Sequence, residues 1–140
     1  MKTILVAFDG SEPSIKGVRA AVELARAMSA KLELVYVLPP ILLPPSVYAD
    51  TIHKIEEGNR EAAQDVLKLG AKIVTDLGAT CDTVMLHGAP AEAIADLAQA
   101  ERVWGVVVGA KGHNALSRVM LGSVADRLVH ICSKPVLVVR

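Results

Sequence analysis

The segment VWGVVVGA, residues 103–110, decides how this chain folds. It is dominated by valine, and it runs into a turn in which Lys111 stands directly before another glycine, Gly112. Short continuous apolar runs are typical of strands that are covered by helices on both faces of a parallel sheet. Because the ligands of such sheets bind beyond the carboxyl ends of the strands, the residues after this run are the first candidates for a functional site.

Four further runs of the same character alternate with helical segments. They comprise residues 3–8, 31–37, 81–86 and 135–139. Alternation of strands and helices implies βαβ units with right-handed crossovers. We therefore predict a single α/β domain over residues 1–140, with an open parallel sheet of five strands and helices on both faces.

The segments between these runs have the spacing of helices. Val18 and Val22 mark the first helix, Pro90 suits the first turn of the third, and a last helix is predicted over residues 123–131. The second and longest helix is predicted from apolar residues at helical spacing, namely Ile52, Ile55, Ala62, Val66, Ile73 and Leu77. A proline-rich insertion at residues 38–47 predicts an extended surface loop before that helix.

The composition narrows the range of partners. Lys and Arg together number 15, as do Asp and Glu, so the formal net charge is zero and no basic surface for nucleic acid or an anionic membrane is indicated. The apolar runs are too short to span a bilayer or to form a signal peptide. Cys81, Cys132 and the four histidines have no metal-binding spacing. We expect a soluble, cytoplasmic protein without nucleic-acid or membrane partners and without a metal site made by protein ligands alone.

The chain after residue 110 has the features of a phosphate site. Gly112 and Gly122 allow backbone N–H groups to approach an anion without a Cβ atom in the way. Ser123 is predicted to be the N-cap of the last helix, with Asp126 in a capping-box arrangement. Free N–H groups and the positive end of the dipole at that helix start favour a phosphate.

Cationic residues strengthen this interpretation. Lys111, His113 and Arg118 lie in the same segment, which contains no carboxylate, so its charge favours a polyphosphate. The alternative is that the glycines serve only a tight turn and a helix start.

Asp9 ends the first run and precedes Ser11, which can cap the first helix, and Pro13, which fits its first turn. At the topological switch point its carboxylate can accept a hydrogen bond from a ribose or base, or help to hold Mg²⁺ on phosphates. Alternatively, Asp9 only satisfies backbone N–H groups of the turn. Both interpretations are open from the sequence.

The pattern Gly109-x2-Gly112-x9-Gly122-Ser123 resembles the signature of the ATP-binding branch of the universal stress protein family. The first and last runs also resemble that family. The resemblance implies a Rossmann-like sheet of the adenine nucleotide alpha hydrolase type, with order 3-2-1-4-5. Where many relatives have Gly-Ser-His-Gly, this chain has Ala110 and Lys111 between the glycines, which leaves nucleotide choice open.

The same resemblance implies a nucleotide site and a dimer. Adenine is expected near Asp9 and the backbone of Val37, and Mg²⁺ only through the phosphates. The full set of candidate nucleotide-binding residues is Ala7, Asp9, Val37, Val108, Gly109, Lys111, Gly112, Gly122, Ser123 and Val124. The last strand, Val136–Val139, is apolar and is predicted to lie at a sheet edge, where it pairs antiparallel with its copy in a homodimer.

Other nucleotide-binding classes do not fit. The turn after the first run lacks GxGxxG, the chain has no GxxxxGK(S/T), and the third run ends in His87 where a response regulator needs Asp. Two hypotheses remain: a nucleotide-responsive regulatory module of the stress response that binds ATP, ADP or AMP, and a slow ATPase or phosphotransferase at the same site. Only Asp9 and His113 are candidates for the second role, and no residue is assigned as catalytic.

Overall fold

The computed structural model describes residues 1–111 and 120–140. Five parallel strands form one sheet in the order β3-β2-β1-β4-β5, which confirms the predicted fold. In chain order the elements are β1 Thr3–Ala7, α1 Glu12–Met28, β2 Lys31–Leu38, α2 Ala49–Asp76, β3 Asp82–His87, α3 Pro90–Ala98, β4 Val103–Gly109, α4 Ser123–Ile131 and β5 Val136–Val139.

The burial of each strand agrees with its place in the sheet. β1 and β4 occupy the middle of the sheet, and β1 is buried almost along its whole length. β3 and β5 are the edges and show less burial. Continuous burial on both faces is possible only for strands that have neighbours on both sides and helices above and below.

Two hydrophobic cores lie on opposite faces of the sheet because successive side chains of a strand alternate between its faces. Val6, Phe8 and Leu34 belong to the core under α1 and α2. Leu5 and Val35 belong to the core under α3 and α4. The carboxyl ends of the strands lie between these layers, and the ligands of open α/β sheets bind beyond them.

The predicted buried face of α2 is confirmed in the second half of the helix, where Val66, Ile73 and Leu77 pack against the core, and is wrong in the first half. Ile55 and Ala62 are exposed, and the buried positions are Ala63, Leu67, Gly70 and Val74. The reason is geometric: α2 has 28 residues, and only its second half packs on the sheet. Among the helices that the structure describes, α2 included, none has both the length and the hydropathy of a membrane span.

Candidate functional site

A cavity of about 750 Å³ opens at the carboxyl ends of β1, β2 and β4. That volume lies within the range of small-molecule sites in proteins. Nine of the ten residues predicted for the site line it, namely Ala7, Asp9, Val37, Val108, Gly109, Lys111, Gly122, Ser123 and Val124. The tenth, Gly112, lies outside the described residues, as do His113 and Arg118.

Several wall residues are not among those predicted from the sequence. Ser14 and Pro90 lie in the first turns of α1 and α3, and Ile94 is one turn further along α3. Tyr36 and Pro39 flank the end of β2. Proximity to a strand end or a helix start was the available signal, but it selects too many residues to be specific without coordinates.

At the end of β2, the backbone groups of Val37 that point toward β1 have no partner in the part of the chain that the structure describes. The ladder between β1 and β2 ends where the Phe8 N–H donates to the Val35 carbonyl at 3.0 Å. Backbone groups two residues apart on a strand point to the same side, so those of Val37 also point toward β1. Because β1 has already ended at Ala7, the N–H and C=O of Val37 face the cavity.

The carboxylate of Asp9 is held at the start of α1. Its Oδ1 accepts from the Ser11 N–H at 3.0 Å and from the Ser11 hydroxyl at 2.5 Å. Ser11 also caps α1, because its Oγ accepts from the Ser14 N–H at 3.4 Å. Asp9 therefore accepts hydrogen bonds within the turn, as the structural interpretation predicts. It also lines the cavity, as the ligand-binding interpretation requires.

Gly109 brings β4 and the start of α1 into contact. A Cβ atom at this position would lie 2.5 Å from the carbonyl oxygen of Pro13 and 2.6 Å from its carbonyl carbon. Real Cβ atoms do not approach backbone so closely, so only glycine allows this crossing. The contact places the end of β4 beside the start of α1, and both Asp9 and Gly109 line the cavity.

The prediction that Ser123 caps α4 is wrong. The N-cap is Gly122, with φ −63° and ψ 160°, and Ser123 is the first helical residue. The Gly122 N–H donates to the Ala110 carbonyl at 2.6 Å, which holds Gly122 extended and starts the helix after it. Among residues 1–111 and 120–140 no side chain caps this end, so the predicted capping box with Asp126 is absent and backbone N–H groups of α4 open on the cavity.

The described part of the cavity lining carries little charge. Within residues 1–111 and 120–140, its charged side chains are Asp9 and Lys111. In the same ranges, no group of three His, Cys, Asp or Glu side chains lies close enough to hold a metal ion. The site thus combines apolar walls, a backbone donor and acceptor at one end, and an uncapped helix start with a lysine at the other.

The match to a known family decides the classification. The model of the universal stress protein family matches residues 1–140. This chain belongs to the universal stress protein family. The universal stress protein YxiE of Bacillus subtilis is 33% identical over 144 residues, which cover 98% of this chain and 97% of that protein.

Solved structures of other universal stress proteins agree with the fold. The universal stress protein UspA from Lactobacillus plantarum superposes with a TM-score of 0.85 at 25% identity, covering 99% of this chain and 97% of that one. A universal stress protein crystallised in complex with cAMP superposes with a TM-score of 0.74 at 27% identity, again covering 99% and 97%.

Proposed function

We propose that this universal stress protein binds an adenine nucleotide, ATP or its products ADP and AMP, and acts as a nucleotide-responsive regulatory module in the stress response. We also propose that it belongs to the ATP-binding branch of the family. The observation that carries the proposal is the arrangement of one cavity, with the free backbone of Val37 at one end and the uncapped start of α4 at the other.

The Val37 end suits adenine. The edge of adenine presents an exocyclic amino donor beside a ring-nitrogen acceptor, which complements a backbone C=O beside an N–H. Val35, Ile94 and Val108 supply apolar surface for the ring. The Asp9 carboxylate, at the neighbouring turn, is a suitable acceptor for a ribose hydroxyl.

The α4 end suits phosphate. Backbone N–H groups of Ser123 and Val124 and the positive end of the α4 dipole favour an anion, and Lys111 adds a full positive charge. Mg²⁺ would enter with the phosphates rather than on protein ligands alone. A related protein of known structure binds cAMP, a nucleotide that also joins adenine to phosphate.

No described feature favours the ATPase alternative. Hydrolysis needs a base or a water-orienting group close to the terminal phosphate. Asp9 is the only such carboxylate in the described cavity wall, and its Oδ1 already accepts two hydrogen bonds from Ser11. If the wild type releases phosphate from ATP and Asp9→Asn does not, the preference between the two functions is reversed.

The test of binding is a calorimetric titration with ATP and with ITP, in which a carbonyl replaces the adenine amino group. We expect ATP to bind and ITP to bind at least about tenfold more weakly, because ITP presents a carbonyl to the Val37 carbonyl. Nucleotide released from the denatured wild-type protein should be an adenine nucleotide. Absence of ATP binding at millimolar concentration would overturn the proposal.

Gly122→Val is the phosphate-end variant, and Gly58→Ala is its control. Position 58 lies on α2, where an added Cβ atom meets nothing within 4 Å. We expect Gly122→Val to weaken ATP binding while Gly58→Ala binds as the wild type does. Equal binding by both variants would show that the α4 start does not hold the phosphates.

A cytoplasmic location stays a prediction.

We further propose a twofold dimer formed by antiparallel pairing of β5. Ala110 N–H donates to the Val139 carbonyl at 2.7 Å, so alternate residues Val136 and Val138 point their backbone groups to the free edge. Val138→Pro removes one outward N–H and should give a monomer in sedimentation at micromolar concentration, whereas Val138→Thr should remain a dimer. A monomeric wild type would refute this interface.

A further inference from the structure

Lys111 is the one cationic side chain in the described part of the cavity wall. No ion pair joins it to a carboxylate within the described ranges. Asp9, the other charged residue of the wall, is held by Ser11 at the start of α1. The positive charge of Lys111 is therefore not neutralised by a described neighbour.

The backbone next to Lys111 is fixed relative to α4. Ala110 is buried, its N–H donates to the Val139 carbonyl at 2.7 Å, and its own carbonyl accepts from the Gly122 N–H at 2.6 Å. These two bonds tie the residue before Lys111 both to the sheet and to the N-cap of α4. The lysine side chain thus starts beside the helix end that faces the cavity.

The two positive features of this end differ in what they can hold. A helix start carries about half a charge and its influence falls off within the first turn, so its attraction weakens for phosphoryl groups further from the helix end. A lysine is a full, flexible charge that can follow an anion away from the helix end. A second or third phosphoryl group adds negative charge, and the full charge of Lys111 can neutralise more of it than the half charge of the helix start.

We infer that Lys111 makes the site selective for adenosine di- and triphosphates over AMP and cAMP. This inference rests on the proposed function and deepens it, because it names the ligand class within the adenine nucleotides. In this arrangement the start of α4 holds the phosphate nearest the nucleoside, and Lys111 pairs with the phosphoryl groups beyond it.

The experiment measures dissociation constants of ATP, ADP, AMP and cAMP for the wild type, Lys111→Gln and Lys111→Arg at two salt concentrations. Lys68→Gln is the control, since Lys68 is an exposed cation on α2 and does not line the cavity. We expect Lys111→Gln to weaken ATP binding about tenfold and AMP and cAMP binding less than about twofold. The salt dependence of ATP binding should fall in the same variant.

The outcomes separate this inference from the proposed function. Recovery of the ATP preference in Lys111→Arg, with wild-type melting temperatures throughout, supports the inference. Equal losses for ATP and AMP, or no loss in Lys111→Gln, overturn the inference and leave nucleotide binding intact. A wild type that binds none of the four nucleotides overturns both.

Discussion

Gly109 and Pro13 meet so closely that the carbonyl oxygen of Pro13 occupies the place of a side chain at position 109, 2.5 Å from an ideal Cβ atom. One residue ends β4, and the other lies in the first turn of α1. The glycine that the sequence offers as a phosphate ligand is therefore also required by packing.

Gly109→Ala should lower the free energy of unfolding by about 3 kcal/mol, the upper end of the usual cost of overpacking. The clash is with the backbone of Pro13, which cannot rotate out of the way as a side-chain tip can. Denaturant unfolding measures the effect as a shift in midpoint at constant slope. An unchanged midpoint would mean that the contact relaxes without cost.

Two glycines of α2 provide a second, matched pair of substitutions. Gly58→Ala should stabilise the protein by up to about 1 kcal/mol, because alanine favours the helix and its Cβ atom meets nothing within 4 Å. Gly70→Ala gains the same propensity but places its Cβ atom 2.8 Å from Leu34 Cδ1 and 3.0 Å from the Phe8 ring. We expect Gly70→Ala to be less stable than Gly58→Ala by about 1–3 kcal/mol.

The difference between these two variants isolates packing, because helix propensity cancels. Thermal unfolding of both variants against the wild type provides the measurement. If Gly70→Ala is as stable as Gly58→Ala, Phe8 and Leu34 repack freely and α2 is held less closely to the sheet than the distances indicate.

What the sequence predicts well here is what depends on local pattern. The apolar runs identify all five strands to within one residue at each end, because burial on both faces requires a continuous run. The cap of α4 was misassigned by one residue because it depends on a bond from Gly122 to Ala110 that no local pattern announces. The exposed half of α2 was missed because helical periodicity does not reveal where the sheet ends.

In the candidate site, too, local pattern predicts some residues, and packing between distant segments determines the others. Asp9, Lys111 and Ser123 could be chosen because each follows a strand or starts a helix. The backbone groups of Val37 lack a partner on β1 because β2 extends further than β1. Glycine is required at position 109 because Pro13, which is distant in sequence, lies against it. Such relationships between remote segments are set by packing and appear only in coordinates.

Lys134 fixes the turn between α3 and β4. Its Nζ donates to the carbonyls of Ala100 at 3.2 Å and Val103 at 2.6 Å. Lys134→Met leaves both partly buried carbonyls without this donor and should lower the free energy of unfolding by about 2 kcal/mol. Lys72→Met, which removes an exposed ion pair with Asp76, should change it by less than about 0.5 kcal/mol. Equal effects in chemical denaturation would contradict the role assigned to Lys134.

Cys81 should ionise at higher pH than an exposed thiol. Burial, and to a smaller extent the negative charge of Asp82, raise the pKa of Cys81. In a Cys132→Ser background, the rate of alkylation by iodoacetamide should therefore rise with pH later than that of a small free thiol. Asp82→Asn should move the profile to lower pH, whereas limited access lowers the rate at every pH without moving its midpoint.

The same pKa shift of Cys81 sets the sign of a stability effect. In the unfolded chain the thiol ionises first, so above its usual pKa the folded state binds more protons than the unfolded state. This contribution to stability is fully present below that pKa and is lost as the pH rises toward the folded value. Cys81→Ser should flatten this alkaline decline in melting temperature. If the melting temperature of Cys81→Ser declines with the same slope, the alkaline decline is caused by other groups. If Asp82→Asn leaves the alkylation profile unmoved, burial alone raises the pKa of Cys81.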